Sequence, residues 1–231
     1  MLQTIDLNKK YGAHHAVKDL NLTIKKGEVF CLLGQNGAGK TTTINISLGF
    51  LEPSSGKVLI NGVEVDAKNG ATRKMIAYIP EVVMLYSNLT AMENLDFFSR
   101  LAGFTYSKEQ LHAFLTDANL QQEAHGKRVG SFSKGMRQKV GIAIAISKNA
   151  DVILMDEPTS GLDPRATDEF TRIVKRLASQ DKSVLIATHD IFNAVNTGTR
   201  IGIMKGGQLL HSVDAANITP DALQKLYLET I

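Results

Sequence analysis

The stretch VFCLLGQNGAGKTT, residues 29–42, decides the fold of this chain. Five apolar residues, typical of a buried strand, lead into a glycine-rich turn and then into residues 41–50, which are compatible with a helix. Gly34, Gly39, Lys40 and Thr41 have the spacing glycine, four residues, glycine, lysine, threonine. Glycines at these positions let successive backbone N–H groups curl around phosphate oxygens. The complete motif between a strand and a helix predicts a phosphate-binding loop rather than a glycine-rich connector.

The side chains of this loop have separate expected roles. Lys40 is expected to reach the β- and γ-phosphates of a nucleotide, and Thr41 to offer its hydroxyl to Mg²⁺. Thr42 gives the phosphates a further donor. The residues expected to contact the nucleotide are Gly34, Gln35, Asn36, Gly37, Ala38, Gly39, Lys40, Thr41 and Thr42.

An acidic pair follows a second apolar run, DVILMDEP at residues 151–158. Asp156 suits a Mg²⁺ carboxylate at a strand end, and Glu157 could orient an attacking water or accept its proton. Such pairs also occur in caps and turns, but beside a phosphate loop the pair indicates hydrolysis of a nucleoside triphosphate. SVLIATHD places His189 after another apolar run, where a lone histidine is more often structural than catalytic.

A second anion site is predicted about a hundred residues after the first. SFSKGMRQK, residues 131–139, reads as a turn that opens a helix over roughly 134–148. The free backbone N–H groups and the dipole of a helix N-terminus both favour an anion. The question is why one small chain needs two phosphate sites.

Composition limits the class of protein. The chain has 231 residues, 43 % of them hydrophobic and 21 % charged, with a net charge of +3, which is too mild to indicate a nucleic-acid partner. Cys31, the single cysteine, lies in an apolar run and predicts a buried, reduced thiol. No apolar run reaches the roughly 20 residues that cross a bilayer, and no signal peptide is recognised, so a cytoplasmic location is expected.

The pattern along the chain predicts an α/β fold. The first sixty-odd residues are strand-rich, whereas residues 91–127 place apolar side chains at helical spacing. Later, buried strands alternate with helices, one of them starting near Pro164, which favours a parallel sheet covered on both faces. A hairpin around Gly206 and Gly207 and a closing helix over residues 220–231 complete the prediction.

GQNGAGKTT, SFSKGMRQK, VILMDEPTSGLDP and ATHD resemble, in order and spacing, the motifs of the ATP-binding cassette (ABC) ATPases, from Tyr11 to about Gly207. FSKGM resembles the family's signature motif, and TSGLDP its loop after the catalytic glutamate, with Asp163 at the acidic position. His189 then corresponds to the switch histidine. Tyr11 corresponds to the aromatic residue that stacks on adenine.

The resemblance implies an architecture and an answer to the question of two sites. Residues 1–231 would form one ABC ATPase domain, a P-loop NTPase core over 1–90 and 150–231 with an N-terminal antiparallel β subdomain. An inserted α-helical subdomain over about 91–149 would carry the signature motif. Two cassettes pack head to tail in this family, so each ATP also meets the partner's signature turn, here Ser133, Lys134, Gly135 and Met136. ATP then favours the closed dimer because only there does it contact both subunits.

Two departures from the family pattern affect the site. Lys134 stands where the commonest form of the signature motif has glycine, and its side chain either adds charge near the nucleotide or points into solvent. Met136 stands where the motif often has glutamine. Glu81 replaces the family's glutamine, and a carboxylate brings negative charge towards the γ-phosphate. The hypothesis is that Glu81 still ligates Mg²⁺ with Thr41 and Asp156, and that hydrolysis is altered but not abolished.

The function implied is the ATPase subunit of an ABC transporter, a homodimer or heterodimer bound to separate integral membrane permease subunits at the inner face of the cell membrane. The form of the signature favours the multidrug, antibiotic-resistance, sodium or lipid export branch over nutrient importers. The resemblance implies that a permease helix docks in a groove between the helical subdomain and the core, near Glu81 to Asn94. The exposed apolar residues of VVMLY, 82–86, either belong to this docking surface or are ordinary core. The alternative is a soluble ABC ATPase acting on ribosomes or DNA, and a nucleotide kinase or GTPase fits poorly. No feature of the sequence identifies the transported substrate.

Overall fold

The computed structural model describes residues 1–68 and 70–230. Ten strands and seven α-helices are found in these residues. The strands are β1 (Leu2–Tyr11), β2 (His14–Ile24), β3 (Val29–Leu33), β4 (Ser55–Ile60), β5 (Val63–Glu64), β6 (Ile76–Ile79), β7 (Val152–Asp156), β8 (Ser183–Thr188), β9 (Arg200–Lys205) and β10 (Gln208–Asp214). The helices are α1 (Lys40–Ser47), α2 (Ala91–Leu101), α3 (Lys108–Asp117), α4 (Lys134–Ser147), α5 (Pro164–Ser179), α6 (Ile191–Thr197) and α7 (Pro220–Thr230).

Two sheets organise the chain, and they confirm the predicted α/β class. The antiparallel sheet has the order β2-β1-β4-β5. The larger sheet has the order β10-β9-β3-β8-β7-β6, and all its neighbours are parallel except the β9–β10 hairpin. Sequence-distant strands are therefore neighbours at the centre of the larger sheet.

The central strands are apolar throughout because both of their faces are covered. Every residue of β3, β7 and β8 is buried. Alternate side chains enter two different apolar clusters. Phe30 and Leu32 lie on the side of α1, whereas Cys31 and Leu33 lie on the side of α5 and of helices α2, α3 and α4, which are called the helical block below. Burial raises the pKa of the Cys31 thiol to about 12, which agrees with the expected buried thiol.

Capping residues fix the ends of the helical block. Thr90 with Glu93, and Ser107 with Gln110, form capping boxes at the starts of α2 and α3. The predicted helices over 91–127 and 134–148 are thus observed as α2, α3 and α4. The helix predicted over residues 220–231 is α7, and Ile231 lies outside the described residues.

Strand β6 was not assigned from the sequence. It has only four residues, too few for a periodicity, and it is identified by its parallel pairing with β7. This strand leads directly into Glu81. No helix in the described residues is long and apolar enough to span a bilayer.

Candidate active site

Three neighbouring strands deliver the predicted catalytic residues to one edge of the larger sheet. In the register, Leu33 at the end of β3 lies opposite Thr188 of β8, and Asp156 at the end of β7 lies opposite Ala187. Parallel strands end at the same edge, where α/β proteins bind ligands. A cavity of about 380 Å³ at this edge is lined by Tyr11, His14, Ala16, Gln35, Asn36, Gly37, Gly39, Lys40, Thr41, Thr42, Glu81, Asp156 and Glu157.

The phosphate loop requires glycine for steric reasons. Gly39 has a φ of 109°, and an added Cβ would lie 2.4 Å from the carbonyl oxygen of Ala16. A Cβ on Gly34 would lie 2.5 Å from the carbonyl oxygen of Met204. Helix α1 starts at Lys40 with no side-chain cap and no acidic residue in its first turn. Its N-terminal N–H groups therefore remain available for an anion.

Lys40 lies at the centre of the site. Its side chain is 5 % exposed, and Nζ donates to the carbonyl oxygens of Gly34 at 2.6 Å and Gln35 at 3.2 Å. The same ammonium group is 3.5 Å from Oε1 of Glu157. A buried cation held in this way has a fixed position from which it can meet a phosphate group.

Glu157 adopts an unusual backbone conformation, with a φ of 44°. Its N–H donates to the carbonyl oxygen of Ala187 at 2.9 Å, so β8 holds the turn in place. Oε2 accepts a hydrogen bond from the backbone N–H of His189 at 3.3 Å, and Nδ1 of the same histidine lies 2.9 Å from Oε2. The structure brings the two predicted catalytic residues into direct contact.

Asp156 lies beside Thr41, as two ligands of the same metal ion must. Burial raises the pKa of the Asp156 carboxyl, and a hydrogen bond from the Thr41 hydroxyl opposes this change. The nearby charges of Glu157 and Glu81 also raise this pKa, whereas Lys40 lowers it. A hydroxyl and a carboxylate next to a phosphate loop are oxygen donors that suit Mg²⁺, so these residues fit the expected metal.

Glu81 lies at the rim of the same cavity. Its Oε1 accepts a hydrogen bond from the Ser160 hydroxyl at 3.0 Å. Three carboxylates, Glu81, Asp156 and Glu157, thus line one cavity. Ligation of a metal by Glu81 stays a prediction.

Tyr11, at the end of β1, lines the same cavity. It is half-exposed, and Nζ of Lys9 is 5.2 Å from the centre of its ring. The ring can therefore offer a face to a base. His14, its partner in the β1–β2 register, and Ala16 also line the cavity and were not predicted from the sequence.

The signature turn forms a separate cavity of about 300 Å³. Ser133 is the N-cap of α4, and its Oγ accepts from the backbone N–H of Met136 at 3.2 Å. Asp163 is the N-cap of α5 and lines the same cavity. Lys134 is exposed, and an added Cβ at Gly161 would be 3.5 Å from its Nζ. The two anion sites of one chain are therefore in different cavities.

Comparisons with known proteins agree with this geometry. The sequence model of the family described as ABC transporter matches residues 17–160. The chain is 36 % identical to the bacitracin transport ATP-binding protein BcrA of Bacillus licheniformis, over 92 % of this chain and 69 % of BcrA. It is 33 % identical to the linearmycin resistance ATP-binding protein LnrL of Bacillus subtilis (strain 168), over 91 % of this chain and 68 % of LnrL.

Solved structures of ABC cassettes are also similar to this chain. An ATP-binding subunit of an ABC transporter matches with a TM-score of 0.85 and 30 % identity, over 99 % of this chain and 98 % of that one. The dimeric cassette MJ0796, in a post-hydrolysis state bound to ADP and Pi, matches with a TM-score of 0.83 and 28 % identity, over 94 % of this chain and 100 % of that one. These matches give no support to an ATPase that acts on ribosomes or DNA. The chain therefore belongs to the ABC transporter family, as an ATP-binding and ATP-hydrolysing cassette.

Proposed function

We propose that this cassette powers export through separate membrane-spanning subunits, using head-to-tail dimerisation driven by ATP. The observation that carries the proposal is the division of the two anion sites between separate cavities. A head-to-tail pair places the phosphate loop of one chain against the signature turn of the other. Each composite site then consists of the phosphate-loop cavity of one chain and the signature-turn cavity of its partner. ATP then stabilises the dimer because it contacts both chains.

Within each composite site the residues have distinct roles. Lys40 and the N-terminus of α1 bind the β- and γ-phosphates, and Tyr11 stacks on the base. Glu157 orients the attacking water and accepts its proton, while His189 holds the Glu157 carboxylate in place. Thr41 and Asp156, with Glu81 at the rim, would hold Mg²⁺, which supplies charge neutralisation for the phosphates when bound.

The partner chain contributes the signature turn. Ser133 and the first backbone N–H groups of α4 donate to the γ-phosphate, with the partial positive charge of the helix N-terminus behind them. Lys134 adds a full positive charge at the same rim. Asp163, at the start of α5, lies in this cavity and contacts the partner cassette. Loss of the γ-phosphate weakens this bridge and favours opening.

The exposed segment after β6 is the proposed permease contact. Val82, Met84 and Tyr86 are 59, 78 and 50 % exposed, whereas Val83 and Leu85 pack on the core. Alternate residues therefore divide between an exposed apolar face, which is available to a partner, and the core. The segment is the last part of the proposed core (1–90 and 150–231) before the proposed helical subdomain (about 91–149) begins, so a permease helix bound there would couple the two.

Export is supported by the relatives. BcrA is named for bacitracin transport and LnrL for linearmycin resistance, and each is similar over more than nine-tenths of this chain. Bound to such a permease, the cassette lies at the cytoplasmic face of the membrane, as a homodimer or a heterodimer.

Affinity capture from gently solubilised native membranes, followed by quantitative mass spectrometry, tests the proposal. We expect a stoichiometric multi-spanning protein with the wild-type chain. Met84→Glu is expected to lose this protein. Leu210→Glu, which also puts a carboxylate in place of an exposed apolar side chain, on β10, is expected to retain it. Recovery only from the soluble fraction, with ribosomal or DNA-processing proteins, would contradict the proposal.

Glu81→Gln tests the metal role of Glu81. Removing this charge lowers the pKa of Asp156, because Glu81 is one of the groups that raise it. Asp156 then stays ionised to lower pH, so the acid limb of the ATPase profile shifts to lower pH. The half-saturating Mg²⁺ concentration is expected to rise, because a neutral amide binds the cation more weakly. Steady-state ATPase assays over pH and Mg²⁺ concentration measure both effects.

Ser160→Ala is the matched control, since it removes the hydrogen bond to Glu81 but leaves the charge. It is expected to leave the Mg²⁺ dependence near that of the wild type. An unchanged rate, Mg²⁺ dependence and pH profile in Glu81→Gln would remove Glu81 from the site.

A further inference from the structure

A buried hydrogen-bond network lies behind the catalytic pair. Nδ2 of Asn193 donates to Oγ1 of Thr159 at 2.8 Å. Oδ1 of Asn193 accepts from Oγ1 of Thr197 at 2.8 Å and from Oγ1 of Thr171 at 3.4 Å. All four side chains are less than 10 % exposed. A satisfied polar network inside an apolar region fixes its members in one arrangement.

This network joins the two segments that carry the catalytic pair. Thr159 lies two residues after Glu157, and Asn193 lies four residues after His189. Helix α6 begins directly after the His189 segment, with Asp190 as its N-cap accepting from the N–H of Asn193 at 3.0 Å. The segments that follow β7 and β8 are therefore joined by the Glu157–His189 contact and also by the buried Thr159–Asn193 bond.

Thr159 is coupled tightly to Glu157. The N–H of Ser160 donates to the carbonyl oxygen of Glu157 at 3.1 Å, so residues 157–160 form a closed turn. The N–H of Leu162 donates to the carbonyl oxygen of Thr159 at 3.1 Å, which continues the turn towards Asp163. Glu157 is held in a left-handed conformation within this turn, so the position of Thr159 constrains the backbone that carries the Glu157 carboxylate.

We infer that Thr159 and Asn193 are positioning residues, whose buried hydrogen bond holds His189 against Glu157 and sets the path of the loop to Asp163. The inference rests on the proposed roles of Glu157 and His189. Neither Thr159 nor Asn193 lines the nucleotide cavity, so both act through other residues. Their loss should therefore lower kcat and leave the affinity for ATP unchanged.

Thr159→Val tests the inference, because valine keeps the shape of threonine and removes the hydroxyl. We expect its kcat to fall about 10-fold, in line with misplacement of catalytic groups. The Kd of a fluorescent ATP analogue is expected to stay within about twofold of the wild type. Thr159→Ser, which restores the hydroxyl, is expected to recover most of the rate.

Thr171→Val is the matched control at the far side of the same network. It also removes a buried hydroxyl but keeps the Thr159–Asn193 bond, so it is expected to lower the melting temperature and leave kcat near that of the wild type. If Thr159→Val does not fold, Thr159→Ala provides the same comparison. Equal kcat values in the Thr159 and Thr171 variants overturn the inference.

A double variant with His189→Ala shows whether Thr159 acts through the catalytic pair. In that background Thr159→Val is expected to have little further effect on the single-turnover rate. If the two residues acted independently, the fold-losses in rate from the two substitutions would multiply. Glu157→Gln is measured in parallel. Rapid hydrolysis by Glu157→Gln contradicts the proposed active site itself, whereas an inactive Glu157→Gln with a fully active Thr159→Val contradicts only this inference.

Discussion

Glu157→Gln is expected to lower kcat for ATP hydrolysis by about 10²- to 10⁴-fold, the usual contribution of a general base. Glutamine has the same size and still offers a side-chain oxygen to the backbone N–H of His189, so the geometry of the site is retained. An amide cannot accept the proton of the attacking water. Phosphate release under steady-state conditions measures the loss.

The same variant is expected to bind ATP at least as tightly as the wild type. The Glu157 carboxylate lies 3.5 Å from Nζ of Lys40, and its removal takes a negative charge away from the place where the γ-phosphate binds. Unhydrolysed ATP should then hold the dimer closed, which size-exclusion chromatography with light scattering detects. Loss of ATP binding would mean that the change damages the phosphate loop.

Glu52→Gln is the matched control, since it makes the same change at a well-exposed carboxylate. It is expected to keep the wild-type kcat. Undiminished turnover in Glu157→Gln would remove Glu157 from its proposed role, and the base would have to be sought among the other groups of the cavity.

Gly135→Asp is expected to abolish ATP-driven dimerisation and to leave ATP binding by the single chain intact. The residue lies in the first turn of α4, and an added Cβ would meet nothing closer than 3.6 Å, so the fold tolerates a side chain there. The new carboxylate would oppose the γ-phosphate at the site where Ser133 and the helix N-terminus attract it. Dimerisation is measured with Glu157→Gln in the same chain, where the ATP-bound dimer persists.

Mixing two inactive variants tests the head-to-tail arrangement. Lys40→Ala removes the phosphate loop's cation, and Gly135→Asp blocks the signature turn. A mixed dimer contains one intact composite site out of two, so mixing the two variants should restore ATP hydrolysis to at most about half of the wild-type rate. Gly135→Ala, which adds no charge, is the control and should still dimerise. No recovery on mixing folded variants would contradict the proposed pairing of sites.

Most of the architecture was predictable because its signals are local. A glycine-rich loop between a strand and a helix needs only adjacent residues, and the runs in β3, β7 and β8 are apolar because both of their faces are buried. The helix caps Thr90, Ser107 and Ser133 act within three residues of themselves. Strand β6 was not predicted because four residues are too few to establish the two-residue periodicity of a strand. Its pairing partner, β7, lies more than seventy residues away in the sequence.

The sequence by itself determined the fold class, the phosphate loop and the residue types of the catalytic edge, since these depend on short-range spacing and on burial. Only the tertiary structure decided which side chains meet. His189 bonds to Glu157 across 32 residues, Asn193 to Thr159 across 34, and Ser160 to Glu81 across 79. A hydrogen bond needs its two atoms within about 3 Å and correctly oriented, and for distant residues that geometry is set by the register of the sheet and the packing of its helices.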